Sequence, residues 1–186
     1  MHTDTYTDAE MALDIEGAKA LLKEAGYENG GIELRLVCLS YLQPMDIVIQ
    51  ASLSEIGINV SIETPDVASF VQAAAGGDYD MAMVGDTTGA RYPSVMWFMR
   101  NAGVHGFSIA GPKWTTDEID AAIEKAIDEK DEAKAKEMFA DLEKQFKDMT
   151  LYCNIYEEMH SSVAAKDIKG FTIMERQYFD ATTLYK

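Results

Sequence analysis

Residues 85 to 93 run Gly85-Asp86-Thr87-Thr88-Gly89-Ala90-Arg91-Tyr92-Pro93 and lead into Trp97 and Phe98. One carboxylate, two hydroxyls and one guanidinium beside flat aromatic rings suit a small-solute pocket, where a few polar groups fix orientation and apolar walls exclude water. Arg91 fits a carboxylate on the solute through a charge-assisted bond, and Tyr92 or Trp97 offers a flat apolar wall. Alternatively, the segment starts a helix, and Trp97 and Phe98 belong to the core. The candidate ligand-binding residues are Asp86, Thr87, Thr88, Arg91, Tyr92 and Trp97, together with Tyr156 from the C-terminal part.

Other chemistries find less support. His2, His105 and His160 lie far apart, and none stands in a metal-binding or triad spacing. Adjacent acids such as Glu157-Glu158 and Asp128-Glu129 do not face one another across a cleft, as a carboxylate-dependent hydrolase requires, although such a hydrolase on an α/β scaffold is the alternative function class. Gly76-Gly77, Gly85 and Gly89 lack the lysine and hydroxyl that complete a phosphate loop, and Gly170 reads as a bend. Neither a cofactor nor a metal is expected, and no nucleophile, base and orienter can be named together. Cys38 and Cys153 each sit in an apolar stretch and read as small buried hydrophobes; a disulfide between them requires their two strands to be neighbours, which spacing does not settle.

The elements that must position the polar segment follow from periodicity. Ile15, Ala18, Leu21, Leu22 and Ala25 recur at helical spacing after Asp14 and stop at Gly26. Ile32, Leu34, Leu36 and Cys38 alternate as a strand, and Met45 to Ile56 is helical, with Met45, Val48, Ile49, Ser52, Leu53 and Ile56 on one side. A strand from Ile58 to Ile62, a short helix opened by Pro65-Asp66 and an apolar strand from Tyr79 to Val84 come next. Strands alternating with helices predict a mostly parallel sheet, whose ligands bind at the carboxyl ends of its strands, so the segment after Val84 is placed at the site.

Downstream, Thr115-Thr116-Asp117-Glu118 is a capping box, and helices over 116–129 and 131–147 are expected to lay their apolar faces on the sheet. Leu151 to Tyr156 and Ser161 to Ala165 read as strands. The fold class is therefore α/β, with a mixed, mostly parallel sheet and flanking helices.

With 32 acidic and 16 basic residues among 186, the formal charge is −16, and such a surface repels phosphate backbones instead of releasing their counterions. That argues against nucleic acid as a partner, and the dispersed lysines give anionic lipid no cluster to bind. A hydrophobic share of 47% and a mean hydropathy of −0.16 are ordinary for a folded chain, and no run of about 18 apolar residues is present to span a bilayer. Met1 to Asp8 is polar and lacks the basic and apolar regions of an export signal.

Four segments occur in a characteristic order: Asp14-Ile15-Glu16-Gly17-Ala18-Lys19-Ala20-Leu21-Leu22-Lys23-Glu24-Ala25-Gly26-Tyr27, Leu53-Ser54-Glu55-Ile56-Gly57-Ile58-Asn59-Val60, Gly77-Asp78-Tyr79-Asp80-Met81-Ala82, and Thr116-Asp117-Glu118-Ile119-Asp120 on through Asp131 to Leu142. Across about residues 14 to 171 the chain resembles family 5 solute-binding proteins, the oligopeptide-, dipeptide- and nickel-binding group. The resemblance implies a periplasmic-binding-protein-like C-terminal lobe over 14–186, tail included, with 1–13 as a disordered leader. It also implies a missing N-terminal lobe that carries the export signal, and an extracytoplasmic location. Implied partners are a peptide or other small-molecule ligand and the membrane subunits of an ATP-binding cassette importer. Peptide-binding relatives carry an arginine, an aromatic and an aspartate after the Tyr79-Asp80 pair, where this chain has Met83, Asp86 and Gly89. The usual partner of the peptide ammonium is thereby lost, and Asp86 is left to supply a carboxylate from another angle.

Overall fold

The computed structural model describes residues 12–85, Pro93, Met96, Met99, 116–150, 153–156, 163–172 and 180–185. Strand β1 (Ile32–Cys38) is the middle of a sheet ordered β2-β1-β3, with β2 (Ile58–Glu63) and β3 (Met81–Met83) both parallel to it. Helix α2 (Gln43–Ser54) connects β1 to β2, and α3 (Val67–Gly76) connects β2 to β3. This is the crossover pattern that the alternation of periods predicts.

A strand flanked on both sides has two faces to bury, and β1 uses both. Leu34, Leu36 and Cys38 point to one face and pack with Leu42, Val60, Met81 and Met83 and with Ile49 and Leu53 of α2. Val37 points to the other and meets Phe70 and Ala74 of α3, with Tyr79, Ala82 and Val84 around them. The result is helix, sheet, helix, with the most buried part of β1 at Leu36, Val37 and Cys38, where β3 also pairs.

β3 is shorter than the expected Tyr79–Val84 strand, and its entry is joined to β1 by one backbone bond and by side-chain bonds in place of a regular ladder. The Arg35 backbone N–H donates to the Asp80 carboxylate at 2.7 Å, and the Asp80 N–H donates to the Arg35 carbonyl at 3.2 Å. The Arg35 guanidinium also reaches the Asp78 carboxylate at 2.5 Å and the Asp78 carbonyl. Asp78 and Asp80 thus clasp Arg35 and dock the third strand on β1.

The helix ends follow the capping chemistry in the sequence. Asp14 accepts from the Gly17 N–H at 2.8 Å and begins α1 (Ile15–Glu24). Asp66 accepts from the Ser69 N–H at 3.0 Å and opens α3, and Gly77 at φ 67° ends it. α2 starts two residues before the expected Met45, because Pro44 fits the first turn of a helix, where no intrahelical N–H bond is needed.

α2 is also rotated relative to expectation. Asp46, Ile49, Gln50 and Leu53 turn inward, whereas Val48 and Ser52 are exposed. The polar positions are accommodated individually: the Gln50 amide donates to the Val60 carbonyl at 2.5 Å, while Asp46 is fully buried. In α1 the half-buried stripe is Ile15, Ala18 and Leu22, and Leu21 stands 68% exposed, so the helix is a lightly attached flank.

Helices α4 (Asp117–Asp128) and α5 (Glu132–Asp148) are capped by Thr116 and Asp131. They differ from expectation in what they pack on. Ile123 and Ala126 meet Ala135, Phe139, Leu142 and Phe146, and the cluster is completed by Met96 and Met99 instead of by strand residues. Two amphipathic helices joined by three residues bury each other's apolar stripes first.

The strands expected at Leu151–Tyr156 and Ser161–Ala165 are not found among the described residues. Positions 153–156 and 163–165 are irregular and exposed. Alternation qualifies a segment as a strand, but a free sheet edge must also be in reach. The tail instead pairs once, antiparallel, between Lys169 and Tyr185, through bonds of 2.7 and 3.1 Å. Gly170 makes this bend at φ 72°, and a Cβ there would collide with the Thr183 carbonyl. Gly170→Ala is expected to cost about 1–2 kcal/mol from the left-handed backbone alone. It should also speed amide exchange at Lys169 and Tyr185, which hydrogen-exchange mass spectrometry would read.

Candidate site at the carboxyl edge of the sheet

The carboxyl ends of β1 and β3 lie side by side, since Cys38 pairs with Met83. Chain leaving β3 through Val84 reaches Gly85, where a Cβ would lie 3.8 Å from both the Leu42 side chain and the Tyr41 hydroxyl. The loop between β1 and α2 and the exit from β3 therefore form one rim, and the polar segment begins from it. Tyr41 is 67% exposed on this rim. Sequence reasoning missed it, although its place just after an apolar strand is the same signal that singled out the segment after Val84.

Asp86, Thr87, Thr88, Arg91, Tyr92 and Trp97 lie outside the described residues. Tyr156 is described: it is 46% exposed in the irregular segment 153–156, which does not pair with the sheet. The structure brings together Tyr41, Leu42 and Gly85 at the rim, with Cys38 and Asp46 behind it.

Those last two residues set the electrostatics of the edge. Both are completely buried. Burial foremost, then the neighbouring Asp46 carboxylate, pushes the Cys38 thiol up to about 12. Burial likewise raises Asp46 above the ordinary carboxylate range, and its contact with the Cys38 thiol only partly offsets this. That contact falls outside hydrogen-bond geometry, and neither Asp46 oxygen has a hydrogen-bond partner among the described residues.

Cys153 is exposed, contrary to the expected buried position, and lies in a described segment, 153–156, that is irregular; both thiols are free. A thiol reagent at pH 8 is therefore expected to modify Cys153 in the native chain and to reach Cys38 only on unfolding, since the thiolate is the reactive form. Peptide mapping after labelling checks this.

A groove of about 560 Å³ lies at the opposite pole, lined by Lys19, Leu22, Lys23, Tyr27 and Ile56 among others. It borders Gly30 and Gly57, which precede β1 and β2, so it sits at the amino ends of the strands. Its two lysines already face Glu16 and Glu28, each at 3.4 Å. Parallel sheets seldom bind ligands at that end, and the rim at the carboxyl edge remains the candidate.

The family described as bacterial extracellular solute-binding proteins, family 5 middle, matches residues 1–108, more than half of the chain. No curated protein sequence matches. Among solved structures, a putative peptide-binding protein AppA from Clostridium difficile is 22% identical with a TM-score of 0.70, over 98% of this chain and 40% of that one. The periplasmic binding protein DppA from Helicobacter pylori, in complex with the peptide STSA, is 24% identical with a TM-score of 0.63, over 81% and 30%. The binding protein AgaA from A. tumefaciens R10, in complex with agropinic acid, is 28% identical with a TM-score of 0.61, over 79% and 31%. The chain thus spans well under half the length of the structures it matches.

Proposed function

The chain belongs to the family 5 bacterial extracellular solute-binding proteins, and on that footing we propose that it captures a peptide or similar small solute outside the cytoplasm for delivery to an ATP-binding cassette importer. The observation that carries this reading is the family match over a fold whose parallel strands end together at a rim where a polar, aromatic-flanked segment begins. The H. pylori and A. tumefaciens structures hold a peptide and agropinic acid, so similar proteins accept chemically different small solutes. The family and its structural neighbours are binding proteins by description, and the chain is read here as a binder without catalytic activity.

In this reading residues 14–186 form one lobe of a two-lobed protein, and 1–13 form a leader. The importer's membrane subunits and a second lobe are the macromolecular partners. Asp86, Thr87, Thr88, Arg91, Tyr92 and Trp97 contribute one wall of the pocket, Tyr41 extends it, and Tyr156 belongs to the returning tail. Two-lobed binders enclose their ligand by hinge closure, which strengthens every polar contact by excluding water.

Arg91→Ala is the direct test. Loss of a charge-assisted bond shielded from water should weaken an anionic solute by about 1.5–3 kcal/mol. Titration calorimetry of the full-length gene product would read this, and unchanged affinity would remove Arg91 from the site.

A further inference from the structure

Asp46 is the one position where the packing of α2 on the sheet departs from ordinary polar bookkeeping. It occupies the first turn of α2, is 0% exposed, and offers two carboxylate oxygens without a hydrogen-bond partner among the described residues. Its polar neighbour is the equally buried Cys38 thiol, at the end of the central strand. We propose that Asp46, buried where α2 meets the end of β1, is a pH-sensitive joint, accommodated in the packing while it carries its proton and disfavoured there when it ionises, so that the packing of α2 on the sheet tightens as the surrounding medium acidifies.

The surroundings leave no cheaper solution for the carboxyl group. From β1, Leu34 and Leu36 share the α2 face with Cys38, and Arg35 is committed to Asp78 and Asp80 at the entry to β3. From β2 the same face presents Ile58, Val60 and Ile62, and Glu63 lies with Arg35. From β3 it presents Met81 and Met83. Within α2, Gln50 spends its amide on the Val60 carbonyl. Among the described residues no cation faces Asp46.

An ionised carboxylate in such a place keeps the full desolvation cost, because a thiol is a weak donor and the helix N-terminus offsets only a small part of it. Taking a proton from solvent removes the charge. The Cys38 thiol stays neutral in both states, since its own value of about 12 lies far above that range.

The direction of the effect follows from proton linkage. The folded state raises the Asp46 value above its unfolded one, so the stability contribution is complete below the ordinary carboxylate range. It declines as pH rises from that range through the raised folded value, and above that value it is lost. The joint stands behind Tyr41 and Leu42, so an effect on solute affinity would rest on the binding reading above; the effect on stability does not.

Carbon-13 carboxyl shifts of the chain, titrated from pH 3 to pH 9 and assigned with Asp46→Asn, test the proposal directly. Asp46 should titrate at higher pH than the bulk of the carboxylates, and Cys38→Ala should move its midpoint higher still by deleting the weak donor that favours its ionised form. As pH rises from the ordinary carboxylate range through the raised folded value, urea midpoints should fall more steeply in the wild type than in Asp46→Asn, which cannot ionise. An Asp46 midpoint within or below the bulk of the carboxylates, or parallel stability profiles for the two proteins, would overturn the joint. If Asp46→Asn folds poorly, assignment of the Asp46 carboxyl through its own side-chain and backbone resonances lets the titration of the wild type decide the matter.

Discussion

Phe146→Ala is expected to lower the stability of the chain by about 3–5 kcal/mol, the range for truncating a fully buried aromatic whose cavity cannot collapse. Phe146 is 0% exposed in the last turns of α5, and it closes a cluster with Phe139, Leu142, Ile123 and Met96. Among the described residues that cluster contains none of the strand residues that form the two cores around β1, so the lost contacts fall on the α4–α5 pair itself. Since whole domains are stable by only about 5–15 kcal/mol, the substitution should consume a large part of the total. A urea titration reads it as a lower midpoint at nearly constant slope. A change below about 1 kcal/mol would mean that the α4–α5 cluster is not a core.

The parallel sheet and its helices were legible because their signals are local and redundant. Alternation in Ile32–Cys38, an aspartate or threonine before each of α1, α3, α4 and α5, and glycines at Gly26 and Gly77 all pointed to the same elements. Clusters that form across the chain were less so. Met96 and Met99 complete the α4–α5 core from a stretch whose sequence near Trp97 reads equally well as pocket or core. Among the described residues, the segment around Cys153 pairs with neither edge of the sheet.

For the site, the position of the rim was legible and its composition only partly so. An apolar strand that turns abruptly polar after Val84 marks a carboxyl edge, and the structure puts Gly85 beside the β1–α2 loop. Tyr41 passed unnoticed because a lone tyrosine after a strand has no partner in sequence. Asp46 was hidden more thoroughly. Helical periodicity favoured the face bearing Val48 and Ser52, and the actual face is turned to bury a carboxyl group that no hydrophobic pattern would place inside. Tertiary packing chose the rotation in which Ile49 and Leu53 both reach the sheet, with Asp46 carried inward beside them.

Native mass spectrometry of the full-length gene product, compared with residues 1–186 alone, tests solute capture most directly. A pocket that buries most of a small ligand needs walls on all sides, and the proposed site around Tyr41 and Gly85 would supply one. Loss of the opposite wall should weaken binding at least about 100-fold, near 2.7 kcal/mol, because water stays in the site and the solute keeps its own hydration. A small-mass adduct is expected on the full-length product, released chemically intact on denaturation, with little or none on residues 1–186. A solute released in hydrolysed form, an absence of any adduct after gentle purification with added peptide, or equally strong retention by residues 1–186 would contradict it.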